Sequence, residues 1–375
     1  MLKKIDLETF IIEVFSRFKS INFRSQNVYP EKYKNLNEKI EYPDGSQLNL
    51  KRLYTEPIFL YRIPEAILIG PYGLMLDPFG RILSPLNSNR TRKLLKRTIR
   101  AMGAKDFLRV YLSVIFKKTP IKFSGVIHLL PAHGYGFYPV QANYCHWLLE
   151  NLPQLHTFKD LICTGTRIAI NDNYSSFQAQ SLDLLGIKVS DCITLKRFSV
   201  MRCRDIYLAT LCGANSQNSD RDPVRRRWLG DRLTSAVRTS GAVLPRIFLS
   251  RQGATRGSIR NFDQLRNELE KYDVACITPG ERSFAEDLAV FKGARVLISS
   301  HGAALANMMF MSPGGLVIEI VGGSKGDADF FQLLAAEFEL RYARLEATCH
   351  RDANNMVEEY EVDCDILGKL LENSI

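Results

Sequence analysis

From residue 246 onward, apolar positions fall into short runs rich in Val, Ile and Leu, separated by longer amphipathic stretches. RIFLSR, VACITP, ARVLISS, LVIEIV and RYARL read as strands. Helical spacing falls at about 261–272, 283–292, 302–310 and 329–338. Continuously apolar strands alternating with helices predict a parallel sheet covered on both faces. The pattern repeats more weakly from about 125, where GVIHLL, RIAIND, CITLK and DIYLATL read as strands and 177–185 as a helix. Residues 1–120 carry only short β-like runs, such as PIFLYRI and EAILIG, broken by Pro and Gly.

The expected fold is therefore α/β. It has an N-terminal α+β extension over 1–120 and two Rossmann-like domains, 121–240 and 241–375, facing a cleft. Between these domains, the stretch 218–241 predicts a helix. Asp222 caps it, Pro223 takes its first position and Gly241 closes it, as a connector would. In open parallel sheets, ligands bind beyond the C-terminal strand ends, which fixes where to look for chemistry.

The segment ARVLISSHGAALANMMF (294–310) is the most informative. A buried strand runs into a turn, and a helix opens near Gly302. The small residues Gly302, Ala303 and Ala304 let a ligand approach the first amides of that helix, a natural phosphate site. His301 is placed to reach the same ligand. The alternative is a tight strand-to-helix turn that binds nothing.

In RIFLSRQGATRGSIRN (246–261), Ser250 and Arg251 end a strand, and Arg256, Arg260 and Asn261 follow in a Gly-containing loop. Several guanidinium groups converging there suit a diphosphate, because Arg binds phosphate oxygens bidentately. The alternative is a solvated basic loop. Glu319, closing LVIEIV, is placed either to accept ribose hydroxyls or to serve as a structural acid. In NYCHWLLENLPQL (143–155), His146 and Glu150 are four apart and share a helix face. That pair suits a general base with an orienting carboxylate, or else an ordinary surface ion pair. Pro153 limits that helix.

Composition narrows the partners. The eight cysteines form no CxxC pair, which argues against a zinc cluster and for buried free thiols. The Asp-x-Asp strings at 327–329 and 363–365 read as chance, so no metal site is expected. No apolar stretch is long enough to span a membrane, and the N-terminus lacks the apolar core of a signal peptide. A cytoplasmic location is the expectation. The net charge is +10, concentrated at 90–118, where ten Lys/Arg face the single acid Asp106. With Leu94, Leu95, Ile99 and Met102 on one side, this stretch fits either a basic helix lying peripherally on the inner membrane face or a solvated helix packed on its own domain. No nucleic-acid module accompanies the charge, so nucleic acid is not an expected partner.

Taken in order, HWLLENLP (146–153), the LSR of 249–251 with Arg260–Asn261 after it, ERSFAEDLAVFKGARV (281–296) and HGAALANMMF (301–310) resemble glycosyltransferase family 61. That family includes bacterial capsular-polysaccharide transferases and secretory-pathway xylosyl- and N-acetylglucosaminyltransferases. The likeness spans about 128–322 and does not reach 1–120. Position 287 is Asp where many members carry Gln. The resemblance implies a GT-B fold, a nucleotide-sugar donor, UDP-linked by expectation, no required metal or other cofactor, and inversion at the anomeric carbon. It also implies that Arg251 and His301–Gly302–Ala303 hold the diphosphate, with Asn307 in the same motif. Ser283 and Glu286 would lie near the nucleotide, and His146 or Glu150 would face a glycan or lipid-linked acceptor, as in surface-polysaccharide synthesis. Two rival readings are a non-catalytic nucleotide- or glycan-binding protein and a serine hydrolase with Ser324 in the GGSKG string (322–326).

Overall fold

The computed structural model describes residues 25–27, 39–41, 47–49, 58–83, 88–116, 120–129, 143–209, 212, 222–237, 244–254, 256–322, 330–352 and 358–372. Two compact units emerge, one carrying Pro57–Leu182 and Gly186–Cys212, the other Gly213–Ile375. Both are mixed α/β, each built on a sheet with a parallel core.

In the first unit the strands are β1 (Ser25–Asn27), β4 (Phe59–Ile69), β5 (Leu74–Leu76), β6 (Ile121–His128), β7 (Arg167–Asn171), β8 (Ile193–Leu195) and β9 (Val200–Ala209). Strands β2 (Lys39–Glu41) and β3 (Gln47–Asn49), which group with the second unit, pair with each other. The sheet order is β1-β4-β9-β6-β7-β8, with β5 beside β4. Strands β9, β6, β7 and β8 run parallel, whereas β4 is antiparallel to β9. The sheet therefore crosses the boundary expected at residue 120. Strand β4, assigned by sequence to the extension, pairs along its length with β9, because its alternating apolar residues have two faces to cover. Ile67 and Ile69 pack under α1 (Ser88–Met102) and α2 (Ala104–Phe116), while Ala66 and Leu68 join the opposite core with Val126 and Ala169.

Helix α1 forms because Leu94, Leu95, Thr98, Ile99 and Met102 recur at helical spacing and are all buried. After β6, the expected helix at 143–155 is instead composite. An α turn (Tyr144–His146) passes into a π turn (Trp147–Asn151) and then a 3-10 segment (Leu152–Phe158). Pro153 has no N–H, so the regular ladder breaks at this position and the chain changes winding around it. Helix α3 (Lys159–Cys163) follows directly, and α4 (Ser176–Leu184) separates β7 from β8.

The second unit opens with α5 (Pro223–Ala236), capped by Asp222 as expected. This helix is not a linker. Arg226 is fully buried and forms a two-point ion pair with Glu337 of α8 (Phe330–Glu337), at 2.8 and 3.0 Å. Arg227 Nε donates to the Glu337 carbonyl at 2.6 Å. The remaining elements are β10 (Arg246–Leu249), β11 (Arg256–Ile259), α6 (Phe262–Glu270), β12 (Ala275–Ile277), α7 (Phe284–Gly293), β13 (Val296–Ser300), β14 (Leu316–Gly322), β15 (Arg341–Arg351), β16 (Glu358–Glu361) and α9 (Cys364–Glu372). The stretch 303–310 is a 3-10 helix rather than the expected α-helix.

The sheet order is β11-β16-β15-β14-β13-β10-β12. Its parallel part reads β12-β10-β13-β14-β15, a doubly wound arrangement whose strand order reverses between β10 and β13. Its core holds Phe248, Ile298, Ile318, Leu265 and Leu367, each less than 1% exposed.

Candidate functional site

The reversal point in the second unit places the ends of β10 and β13 side by side, with Leu249 in register with Ser299. Crevices at such points are where doubly wound sheets take ligands, since the loops from the two strands diverge there. The sequence puts Ser250–Arg251 after one strand and His301–Gly302 after the other. Arg251 Nη1 donates to the His301 carbonyl at 3.2 Å. The guanidinium lies directly on Gly302, where a Cβ would meet Nη1 at 1.5 Å. Gly302 has extended backbone (φ 160°, ψ 178°), so space and not conformation demands glycine there. Gly257, at φ +76°, supports the same arginine from β11. A Cβ at Gly257 would touch Ser300 Cβ at 3.4 Å and Arg251 Nε at 3.6 Å. Burial lowers the Arg251 pKa from its usual value, and the nearby Tyr360 opposes that. A partly desolvated guanidinium of this kind gains more than an exposed one from meeting an anion.

Past Gly302, the first intrahelical bond is made by Leu305 N–H to the Gly302 carbonyl at 3.0 Å. The amides of Ala303 and Ala304 come before that bond and sit at the start of the 3-10 turn. His301 completes the group. Its Nδ1 is 2.5 Å from Glu319 Oε1, and Tyr342 donates its hydroxyl to Glu319 Oε2 at 2.6 Å. With Nδ1 held against Glu319, Nε2 is the ring nitrogen left to meet a ligand. Phe331 packs edge-on against the imidazole, with centroids 5.4 Å apart. Both oxygens of Glu319 are thus engaged inside the protein, and the residue is 2% exposed. It orients His301, whereas the sequence left it as either a ribose acceptor or a structural acid. Tyr342 had no signal in the linear pattern. It becomes a partner because Val317–Tyr342 and Glu319–Arg344 are registered pairs, which makes Tyr342 a diagonal neighbour of Glu319 on one sheet face.

The other candidates have partners of their own. Ser250 Oγ accepts from Gln252 N–H at 3.3 Å at the mouth of the same strand. Arg260 is exposed and contacts His350, with Nη1 3.1 Å from Nδ1, and His350 Nε2 meets Glu361 at 2.7 Å. Of the expected arginines, Arg251 stands at the strand end and the Arg260 side chain is engaged with His350. Of Arg256, only the backbone, at the start of β11, falls within the described part. Asn261 ties α6 to the chain end, donating to the Val362 carbonyl at 2.8 Å and accepting from Val362 N–H at 2.9 Å. Ser283 and Glu286 form a capping box on α7, and the Ser283 hydroxyl holds the Glu286 carboxyl below its ordinary pKa. Asp287 accepts from Gly280 N–H at 3.2 Å, and burial pushes its carboxyl pKa up. Asn307 is buried and donates to the Ala304 carbonyl at 2.9 Å, bracing the 3-10 turn from within.

In the first unit, β6 and β7 are parallel neighbours, so the composite helix between them begins on the C-terminal side of the strands. His146 sits in that first turn, and the Asn143 side chain accepts its backbone N–H at 3.2 Å. His146 Nδ1 is 2.9 Å from Glu150 Oε1. Glu150 is 0% exposed, so this is not a surface ion pair. Trp147 anchors the same turn by donating to Ser181 Oγ at 2.9 Å. The arrangement is a partly exposed imidazole held by a buried carboxylate.

Among the described residues, no group of three or more His, Cys, Asp or Glu is placed to hold a metal ion. Asp363 accepts from Ile366 N–H at 3.0 Å and caps α9, while 327–329 lies outside the described residues. So does Ser324, with all of GGSKG except Gly322. No helix among the described residues is long and apolar enough to cross a membrane. Five of the eight cysteines are buried free thiols: 145, 192, 203, 212 and 364.

No curated protein matches the chain. The segment that carries both His146 and Arg251, residues 144–318, matches the model of the family described as Glycosyltransferase 61. That segment is just under half of the chain, and the match supports reading the protein as a glycosyltransferase of family 61.

Proposed function

We propose that the enzyme is an inverting glycosyltransferase of GT-B type that takes a nucleotide sugar, UDP-linked, and needs no metal. The acceptor is a glycan or a lipid-linked sugar of a surface polysaccharide. The observation that carries this reading is the Arg251 guanidinium laid across Gly302 at the strand-order reversal, beside the amides of Ala303 and Ala304.

In the reaction, an acceptor hydroxyl oxygen attacks the anomeric carbon from the face opposite the diphosphate. The new C–O bond forms as the bond to the diphosphate oxygen breaks, which inverts the centre. The hydroxyl proton passes to His146, with Glu150 stabilising the imidazolium that results. The nucleoside diphosphate leaves with the electron pair, and its charge falls on Arg251, His301 and the two amides. Donors preorganised around developing negative charge are the largest single contribution in many such sites.

The proposal separates the two roles by residue, so it can be tested by residue. Melting temperatures with UDP, GDP and CMP should single out UDP, since a ligand at about 100 times its Kd adds about 2.7 kcal/mol. Arg251→Ala should abolish that shift. His146→Ala should keep it and lose transfer. If no nucleotide raises the melting temperature, or if Arg251→Ala binds as well as the parent, the assignment fails.

A further inference from the structure

Outside these sites, the strongest feature of the surface is the outer side of α1 and α2. Both helices lie over one face of the first unit's sheet, with Leu95, Ile99, Phe107 and Val110 turned into the core. Their opposite sides are unlike a solvated surface. On α1, Arg92, Lys93, Lys96 and Arg100 are exposed together, and the helix contains no acidic residue. On α2, the exposed residues Lys105, Arg109, Leu112 and Phe116 follow at steps of four, three and four, so they form one stripe. That stripe is basic at its start and apolar at its end. Phe116 is 79% exposed, Leu112 41% and Ile115 38%.

The turn after β5 adds to the apolar end. A Cβ on Gly80 would meet Ile115 Cγ1 at 2.9 Å and the Tyr111 hydroxyl at 3.1 Å, so the turn packs on the end of α2. Phe79, beside it, is 75% exposed, with the Arg81 guanidinium 5.5 Å from its ring centroid. Two phenylalanines three-quarters in water, one of them with a guanidinium over its ring, cost hydration and invite burial.

We propose that this surface, built from α1, α2 and the 77–81 turn, docks on an anionic lipid bilayer. Phe79, Ile115 and Phe116 would enter the headgroup region while the α1 cations meet lipid phosphates. The charge chooses the occupant. Across Ser88–Phe116 there are eight Lys/Arg and one acid, Asp106, which suits a negatively charged plane. The proposal does not depend on the identity of the donor or acceptor.

Flotation of the full chain with phosphatidylcholine vesicles, with and without phosphatidylglycerol, tests it. The protein should float only with the anionic vesicles and should be released by salt. Phe79→Ser/Phe116→Ser should weaken partitioning about tenfold or more without changing the melting temperature, since both side chains are already exposed. Arg92→Glu/Lys96→Glu should weaken it by a similar factor through charge. Failure to float, or flotation unchanged in both variants, overturns the proposal. So does a dimer in sedimentation that Phe79→Ser/Phe116→Ser converts to monomer, because the surface would then serve a second copy.

Discussion

The Arg251 guanidinium occupies the space that a side chain at residue 302 would need. A Cβ added to Gly302 would stand 1.5 Å from Nη1 and 2.8 Å from Cζ. Because the backbone of Gly302 is extended and open to any residue, the glycine serves the neighbouring arginine and not its own conformation.

Gly302→Ala should therefore act as a displaced-arginine variant. The guanidinium is the flexible end of its side chain, so it will move and the fold will survive. Loss of one charge-assisted contact to the leaving group lowers kcat/KM by about 10- to 100-fold. The melting temperature without ligand should change little. Transfer kinetics alongside thermal unfolding checks both halves. A Gly302→Ala enzyme with parental kcat/KM would show that Arg251 is not used from this position.

His146 and Glu150 should separate by their burial. His146→Ala removes a partly exposed ring and should cut kcat by about 10²- to 10⁴-fold, the usual contribution of a positioned base, with little effect on stability. Glu150→Ala alters a fully buried carboxylate site and should both reduce kcat and lower the melting temperature. Glu150→Gln, which retains the shape, should recover more of the stability than of the rate. Equal losses in rate and stability from Glu150→Gln would count against an orienting role.

His128 makes the stability of the first unit depend on acid. It ends β6, is 1% exposed, and burial lowers its pKa to about 4, with the Gly73 backbone opposing in part. A native pKa below the unfolded one means that the unfolded chain binds the proton first. Stability is then complete above about pH 6.5 and falls as the pH drops toward 4, by at most about 3 kcal/mol from this group. His128→Leu should flatten the pH dependence of the unfolding midpoint across that window. An unchanged slope would show that His128 does not govern it.

The Arg226–Glu337 pair joins α5 to α8 in full burial, with neither side chain exposed. Removing one partner leaves a desolvated charge poorly compensated. Glu337→Leu should thus destabilise by about 3–5 kcal/mol. Arg226→Met/Glu337→Leu should be much closer to the parent than either single change, since an apolar pair carries no desolvation penalty. A double-mutant cycle by thermal unfolding measures this. If the two losses simply add, the pair is not coupled as described.

Much of this molecule was legible in its linear pattern. The strands RIFL, VLISS and LVIEIV announce themselves by short runs dense in β-branched and apolar residues, which a doubly covered sheet buries. The cap at Asp222 and the His146–Glu150 spacing are also local, so short-range rules reach them. The family likeness rests on motifs of the same local kind. What local rules missed depended on contacts between distant residues. Strand β4 belongs to the first sheet only because β9, over a hundred residues later, pairs with it. Tyr342 reaches Glu319 through the register of two neighbouring strands, and Arg260 is drawn away by His350, ninety positions on. Pattern and spacing specify which segments are strands and which residues can do chemistry, because propensity and periodicity act within a few residues. Strand order and side-chain direction specify which of those residues meet. Those come from how whole elements bury their faces, and no window along the chain contains that information.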